Sequence, residues 1–236
     1  MKKYNLAKNT ISALLSQLVT IVCGLVLPRL ILQCYGSSVN GLVNSISQFL
    51  SVISFLELGV GAVTQTALYG PLANGDIRMQ SEVYVSARRF FSKIARILVV
   101  YIGILTIAFP FMSNEKCSFT YTATLIVAMG ISSFLQYYFG IVNSLFLSAD
   151  QKSYIQYNLQ IITLIINTLC SAILMKCGAS IQMVKLSTAV IYCVRPLCLN
   201  LYVKKNYHLD INVKVQGEPI KQKWNGIAQH IAAIVL

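Results

Sequence analysis

Charge is what this sequence has least of: Asp, Glu, Lys and Arg make up 11% of its 236 residues, where a soluble domain carries roughly 25%. So few charges cannot cover a water-exposed surface, which excludes an ordinary soluble domain. Acidic groups are the scarcest, seven against 19 Lys and Arg, and Glu57 is the one that falls inside an apolar stretch. The motifs of common enzymes are missing too. There is no Walker loop, no HExxH and no workable Ser, His and Asp set, and Gly59-Val60-Gly61 stands isolated, so no catalytic residue is assigned and no enzyme is expected. His208 and His230 have no companion ligands and read as solvated loop residues. The seven cysteines show neither metal spacing nor a disulfide framework and read as small apolar filler, so no metal or cofactor is expected. Lys2 and Lys3 precede an apolar run without a small-residue cleavage site, which reads as a retained helix rather than a secretory signal.

Apolar residues fill the space instead: they make up 56% of the chain, and mean hydropathy is +0.66. A bilayer core of about 30 Å takes about 20 helical residues. Six stretches qualify, near Thr10–Tyr35, Gly41–Tyr69, Ile94–Met112, Phe119–Ser148, Tyr154–Lys176 and Ile181–Val203. None alternates with the period of two that a barrel strand requires. The expected fold is therefore all-α, a polytopic transmembrane bundle of six spans.

The net charge of +12 in so apolar a chain points to anionic membrane lipids rather than to nucleic acid. Assigning alternate loops to opposite sides places fourteen of the nineteen cations on one side, facing lipid headgroups, among them Lys2, Lys3, Lys8, Arg78, Arg88, Arg89, Lys152, Lys204 and Lys205. Lys116, Lys176 and Lys185 fall on the other, and Arg29 and Arg195 lie within apolar stretches. Cations gather in cytoplasmic loops, so the amino terminus is expected in the cytoplasm. The larger loops, near 70–93 and 204–227, are short and basic, which suits lipid anchoring better than a membrane glycosyltransferase or polymerase.

The last residues look like the start of a seventh helix. An offset of 220 pairs Lys3 with Lys223, Tyr4 with Trp224, Asn5 with Asn225, Ile11 with Ile231 and Ala13 with Ala233. Residues 1–220 are thus expected to form a six-helix lobe and 221–236 the truncated start of a second, with the carboxy-terminal lobe missing. Parallel repeats of this kind belong to carriers that hold substrate between two halves.

Polar residues inside the spans follow helical spacing. Gln156, Gln160, Thr163, Asn167 and Ser171 share one face of the fifth span; Ser133, Gln136, Gly140 and Asn143 share one of the fourth; Gln182, Lys185, Thr188, Tyr192 and Arg195 share one of the sixth. Hydrogen bonding between membrane helices is the alternative use of such faces. Charges in the bilayer cost about 2.5 to 3.5 kcal/mol on insertion scales and usually face a partner or water. Arg29 follows Pro28 near the outer end of the first span, within snorkelling reach of the headgroups. Glu57 and Arg195 lie deeper and are a candidate inner pair. A wet cleft lined by Arg29, Lys185 and Arg195, with amides and Tyr192 beside them, suits an anionic, sugar-bearing ligand.

Leu27-Pro28-Arg29-Leu30 through Tyr35-Gly36, Gly41-Leu42, Glu57-Leu58-Gly59-Val60-Gly61, Leu68-Tyr69-Gly70-Pro71-Leu72-Ala73-Asn74-Gly75-Asp76, Arg195-Pro196, Tyr202-Val203-Lys204-Lys205-Asn206-Tyr207 and the Trp224–His230 entry form an ordered set. With these motifs the chain resembles the amino-terminal half of Wzx-type polysaccharide flippases, in the multidrug, oligosaccharidyl-lipid and polysaccharide exporter superfamily. The resemblance implies two six-helix lobes in the bacterial inner membrane. It implies alternating access that carries undecaprenyl-diphosphate-linked oligosaccharide between leaflets for polysaccharide biosynthesis. It places diphosphate binding on Arg29 and Arg195, while Lys185 joins them from the charge pattern and Glu57 is a candidate ion-coupling site. The rival expectations are a cation-coupled multidrug antiporter of the same superfamily and a non-transporting membrane fragment.

Overall fold

The computed structural model describes residues 2–112, 119–213 and 215. Among them every regular element is helical. Helix α1 (Lys2–Ser51) passes through one 3-10 turn into α2 (Phe55–Asn74), and α3 (Ile77–Met112) follows. Helix α4 (Phe119–Leu135) continues through a π-helical turn, Gln136–Gly140, into α5 (Ile141–Ala149); α6 (Tyr154–Lys176) and α7 (Ile181–Asn206) complete the set. Among the described residues five of the resulting helices are long and apolar enough to cross a membrane, so the chain is a multi-pass membrane protein, all-helical over those residues. The expected start of a seventh helix at 221–236 lies outside the described residues.

The longest helix, α1, would reach about 75 Å if straight, more than twice a bilayer core. It is broken at Gly36, whose φ of 85° and ψ of 174° form a conformation open essentially to glycine alone. Next to the break, the Tyr35 hydroxyl donates to the Ala179 carbonyl in the α6–α7 turn. The opposite ends meet elsewhere. Asn9 donates to the Gln151 carbonyl at 2.9 Å and accepts from the Tyr154 amide at 2.8 Å, clasping the α5–α6 turn. Beside it the Asp210 amide donates to Ser81, close to the α2–α3 turn.

Two apolar cores hold the helices together. One joins Val60, Leu68, Phe91, Phe146 and Leu199; the other joins Ile31, Ile46, Leu125, Ile126 and Ile181. Tyr101 and Ile102 touch both. Outward faces are apolar as well, with Leu14, Leu18 and Leu25 of α1, Leu169 and Ile173 of α6 and Val190 and Leu201 of α7 all exposed. An apolar exterior is stable in acyl chains and not in water.

A polar clamp closes the end that carries the α5–α6 turn. The Tyr207 hydroxyl donates to Asp150, and the Lys152 ammonium lies 2.7 Å from the same carboxylate and donates to Tyr207 at 2.8 Å. Lys152, one of the cations expected in the cytoplasmic loops, thus has its own counter-ion. Burial and the bond to Asp150 push the Tyr207 hydroxyl above its ordinary range. Burial works against the Lys152 charge but is outweighed by Asp150 and Tyr207, so its ammonium is also held to higher pH. Both groups keep their protons longer in the folded chain than in the unfolded one, so their contribution to folding stability is fully present below about pH 10 and is lost as the pH rises further. Tyr207→Phe removes two hydrogen bonds, a loss of about 1 to 2 kcal/mol. Thermal unfolding in detergent should show a lower melting temperature at pH 8 and a shallower alkaline decline.

Candidate functional site

Between the two apolar cores lies a polar waist of three adjoining cavities. The first, about 480 Å³, is lined by Ser47, Ser51, Ser132, Gln136, Tyr192 and Arg195 among others. The second, about 270 Å³, adds Gln65, Ser144, Ser148, Gln156 and Gln160 and shares Gln136 and Arg195 with the first. The third, about 220 Å³, holds Asn167, Ser171, Lys185 and Thr188 and shares Ser47, Ser132 and Tyr192 with the first. Residues from α1, α2, α4, α5, α6 and α7 therefore line three adjacent cavities, with Gln136 and Arg195 standing between the first and the second.

Arg195 stands where the first two cavities meet. Pro196 follows it in α7; the proline has no N–H, which takes the helical donor from the Tyr192 carbonyl one turn earlier. The Arg195 guanidinium lies 5.9 Å from the Tyr192 ring centroid and donates weakly to Thr163 at 3.4 Å. Its Nε is buried without a hydrogen-bond partner, and among the described residues no carboxylate forms an ion pair with it. A partly buried guanidinium with a buried, unpartnered Nε is an incomplete arrangement that an anionic oxygen would complete. Lys185, partly buried on the third cavity, likewise has no acidic partner among the described residues.

The face of α6 is arranged as its spacing predicts: Thr163, Asn167 and Ser171 are buried against α1 and α7, and Gln156 and Gln160 open onto the second cavity. Part of that face is spent on helix contacts. Asn167 donates to Tyr192 at 3.3 Å, and Gln160 to Thr20 at 3.4 Å. Gln136, Gln156, Gln160, Asn167, Tyr192, Lys185 and Arg195 all reach the waist.

Other expected lining residues fall elsewhere. Asn143 turns away from all three cavities. It is 2% exposed, accepts from the Tyr84 hydroxyl at 2.9 Å and donates to the Phe139 carbonyl at 2.6 Å. The cause is the π turn at 136–140, whose extra residue rotates everything beyond it by about 100° and replaces Asn143 with Ser144 on the cavity wall. Gln182 borders an apolar groove with Val127, Ile131 and Leu186 rather than the waist. Arg29 is exposed and lines none of the three cavities. Glu57 lies on α2, but its side chain is outside the described residues, and so is its proposed pairing with Arg195. Ser47, Ser51 and Ser54 were legible in principle, since steps of four and three keep them on one helical face. Gln65 and Ser144 carried no such signal. No three His, Cys, Asp or Glu among the described residues are grouped as metal ligands would be.

Compared with known proteins, the chain matches no family model, no curated protein and no solved structure.

Proposed function

We propose that this chain is a six-crossing lobe of a carrier that moves an undecaprenyl-diphosphate-linked oligosaccharide across a bacterial inner membrane, without covalent chemistry, in alternation with a second lobe. The carrying observation is the Arg195 guanidinium, partly buried between two cavities with its Nε buried and unpartnered. Arg195 and Lys185 take the diphosphate in this reading, and the amides of Gln136, Gln156 and Gln160 with Tyr192 take sugar hydroxyls. A carrier of organic cations would want acidic groups where this waist holds two cations.

Six crossings follow if the chain reverses at Gly36. The Tyr35 contact to the α6–α7 turn and the Asn9 contact to the α5–α6 turn favour this, because they put the two ends of the first stretch at opposite ends of the bundle. Arg78, Arg88, Arg89, Lys204 and Lys205 then share the Asn9 end, which makes that side cytoplasmic.

The purified chain in lipid nanodiscs should bind undecaprenyl diphosphate in native mass spectrometry and leave ethidium unbound. Retention of ethidium with no lipid diphosphate would replace this reading with the drug antiporter, and retention of neither would favour a fragment without transport.

A further inference from the structure

The π turn does more than bend a helix. It leaves backbone carbonyls without their usual α-helical donors, and Asn143 supplies one, donating to Phe139 while Tyr84 on α3 donates to Asn143. This chain of bonds holds the extra residue in place. The sequence around it suits two registers. With the turn in place, Gln136, Ser144 and Ser148 face one cavity. In an uninterrupted α-helix the partners of Gln136 are Gly140, Asn143 and Leu147, at steps of four, three and four. A polar residue follows Gln136 onto the wall in either case, and Gly140 leaves the crossover free of a side chain. Gln136 is also one of the two side chains that separate the first cavity from the second.

We infer that the α4–α5 helix is a two-register switch: losing the π turn rotates α5 by about 100°, withdraws Ser144 and Ser148 from the waist and brings Asn143 in. The Tyr84–Asn143–Phe139 bonds are its catch. The switch is independent of which ligand the waist takes, so it stands or falls separately from the transport reading.

The test uses the full chain in nanodiscs with its native cysteines replaced by alanine and one reporter, Ser148→Cys, titrated with a methanethiosulfonate ethylammonium reagent. Tyr84→Phe and Asn143→Ala each release the catch and shift the register equilibrium about fivefold, the change expected from one buried hydrogen bond, so labelling should slow in both by up to that factor. Deleting Tyr138 in either background removes the extra residue and should restore fast labelling, because an unbroken α-helix then points the reporter into the cavity. General loosening or misfolding would not be repaired by a deletion. Unchanged labelling in both variants, or slowed labelling that the deletion fails to restore, overturns the switch.

Discussion

Arg195→Gln should weaken binding of undecaprenyl diphosphate by about 30- to 150-fold, while Arg29→Gln leaves it within about threefold. The first figure follows from losing charge-assisted hydrogen bonds in a water-poor site, about 2 to 3 kcal/mol. Arg195 has the prerequisites for so large an effect: a partly buried guanidinium, a buried and unpartnered Nε and a single weak bond to Thr163. Arg29 is exposed and distributes its charge to headgroups or solvent, where a positive group contributes little to a site it does not line. Lys185→Gln should fall between them, because it borders the third cavity and joins the waist only through shared walls at Ser47, Ser132 and Tyr192. Equilibrium titration in nanodiscs, read by native mass spectrometry at two salt concentrations, separates the three variants. Equal losses at 29 and 195 would place the anion in a cleft that this lobe only half encloses, as the resemblance to flippases implies. No loss at 195 would remove the waist as a diphosphate site.

What could be seen in the sequence and what could not follow from two different kinds of physics. Apolar runs of bilayer length and a period of 3.6 in the polar residues are local, so the helical class and the buried polar face of α6 were readable residue by residue. Thr163, Asn167 and Ser171 lie where their spacing puts them. Breaks in that period are not local. The π turn has no composition signature in Gln136-Tyr137-Tyr138-Phe139-Gly140, and one inserted residue was enough to move Asn143 out of the site and Ser144 into it. Gly36 shows the same limit. Its left-handed φ divides an element that hydropathy alone extends over 50 residues, so the number of crossings depends on one backbone angle. Charge was a better guide to depth than to partners: Arg195 does reach the polar waist, whereas Lys152, expected as a loop cation facing lipid, is held by Asp150 and Tyr207.

Gly140→Leu should destabilise the folded chain by about 3 kcal/mol, and Gly140→Ala by about 1 kcal/mol. Helix propensity alone argues for the opposite sign, since alanine in place of a helical glycine gains about 0.5 to 1 kcal/mol. Space decides the matter. A Cβ on residue 140 would sit 2.6 Å from Gln136 Oε1 and 3.0 Å from Pro196 Cβ. The glutamine can swing aside at the cost of its place between the two cavities, but the proline ring is fixed in α7 and must carry the helix with it. The two contacts can be separated by a double-mutant cycle. Gln136→Ala relieves the first, so adding Gly140→Ala to it should cost less than Gly140→Ala alone, and the remainder measures the approach to Pro196. Thermal unfolding in detergent gives the stabilities, and thiol labelling at Ser144→Cys shows whether displacing Gln136 opens one cavity into the other. A Gly140→Ala chain as stable as the parent would mean that the π turn and α7 do not approach this closely, and the Gln136–Arg195 partition would then have no rigid wall behind it.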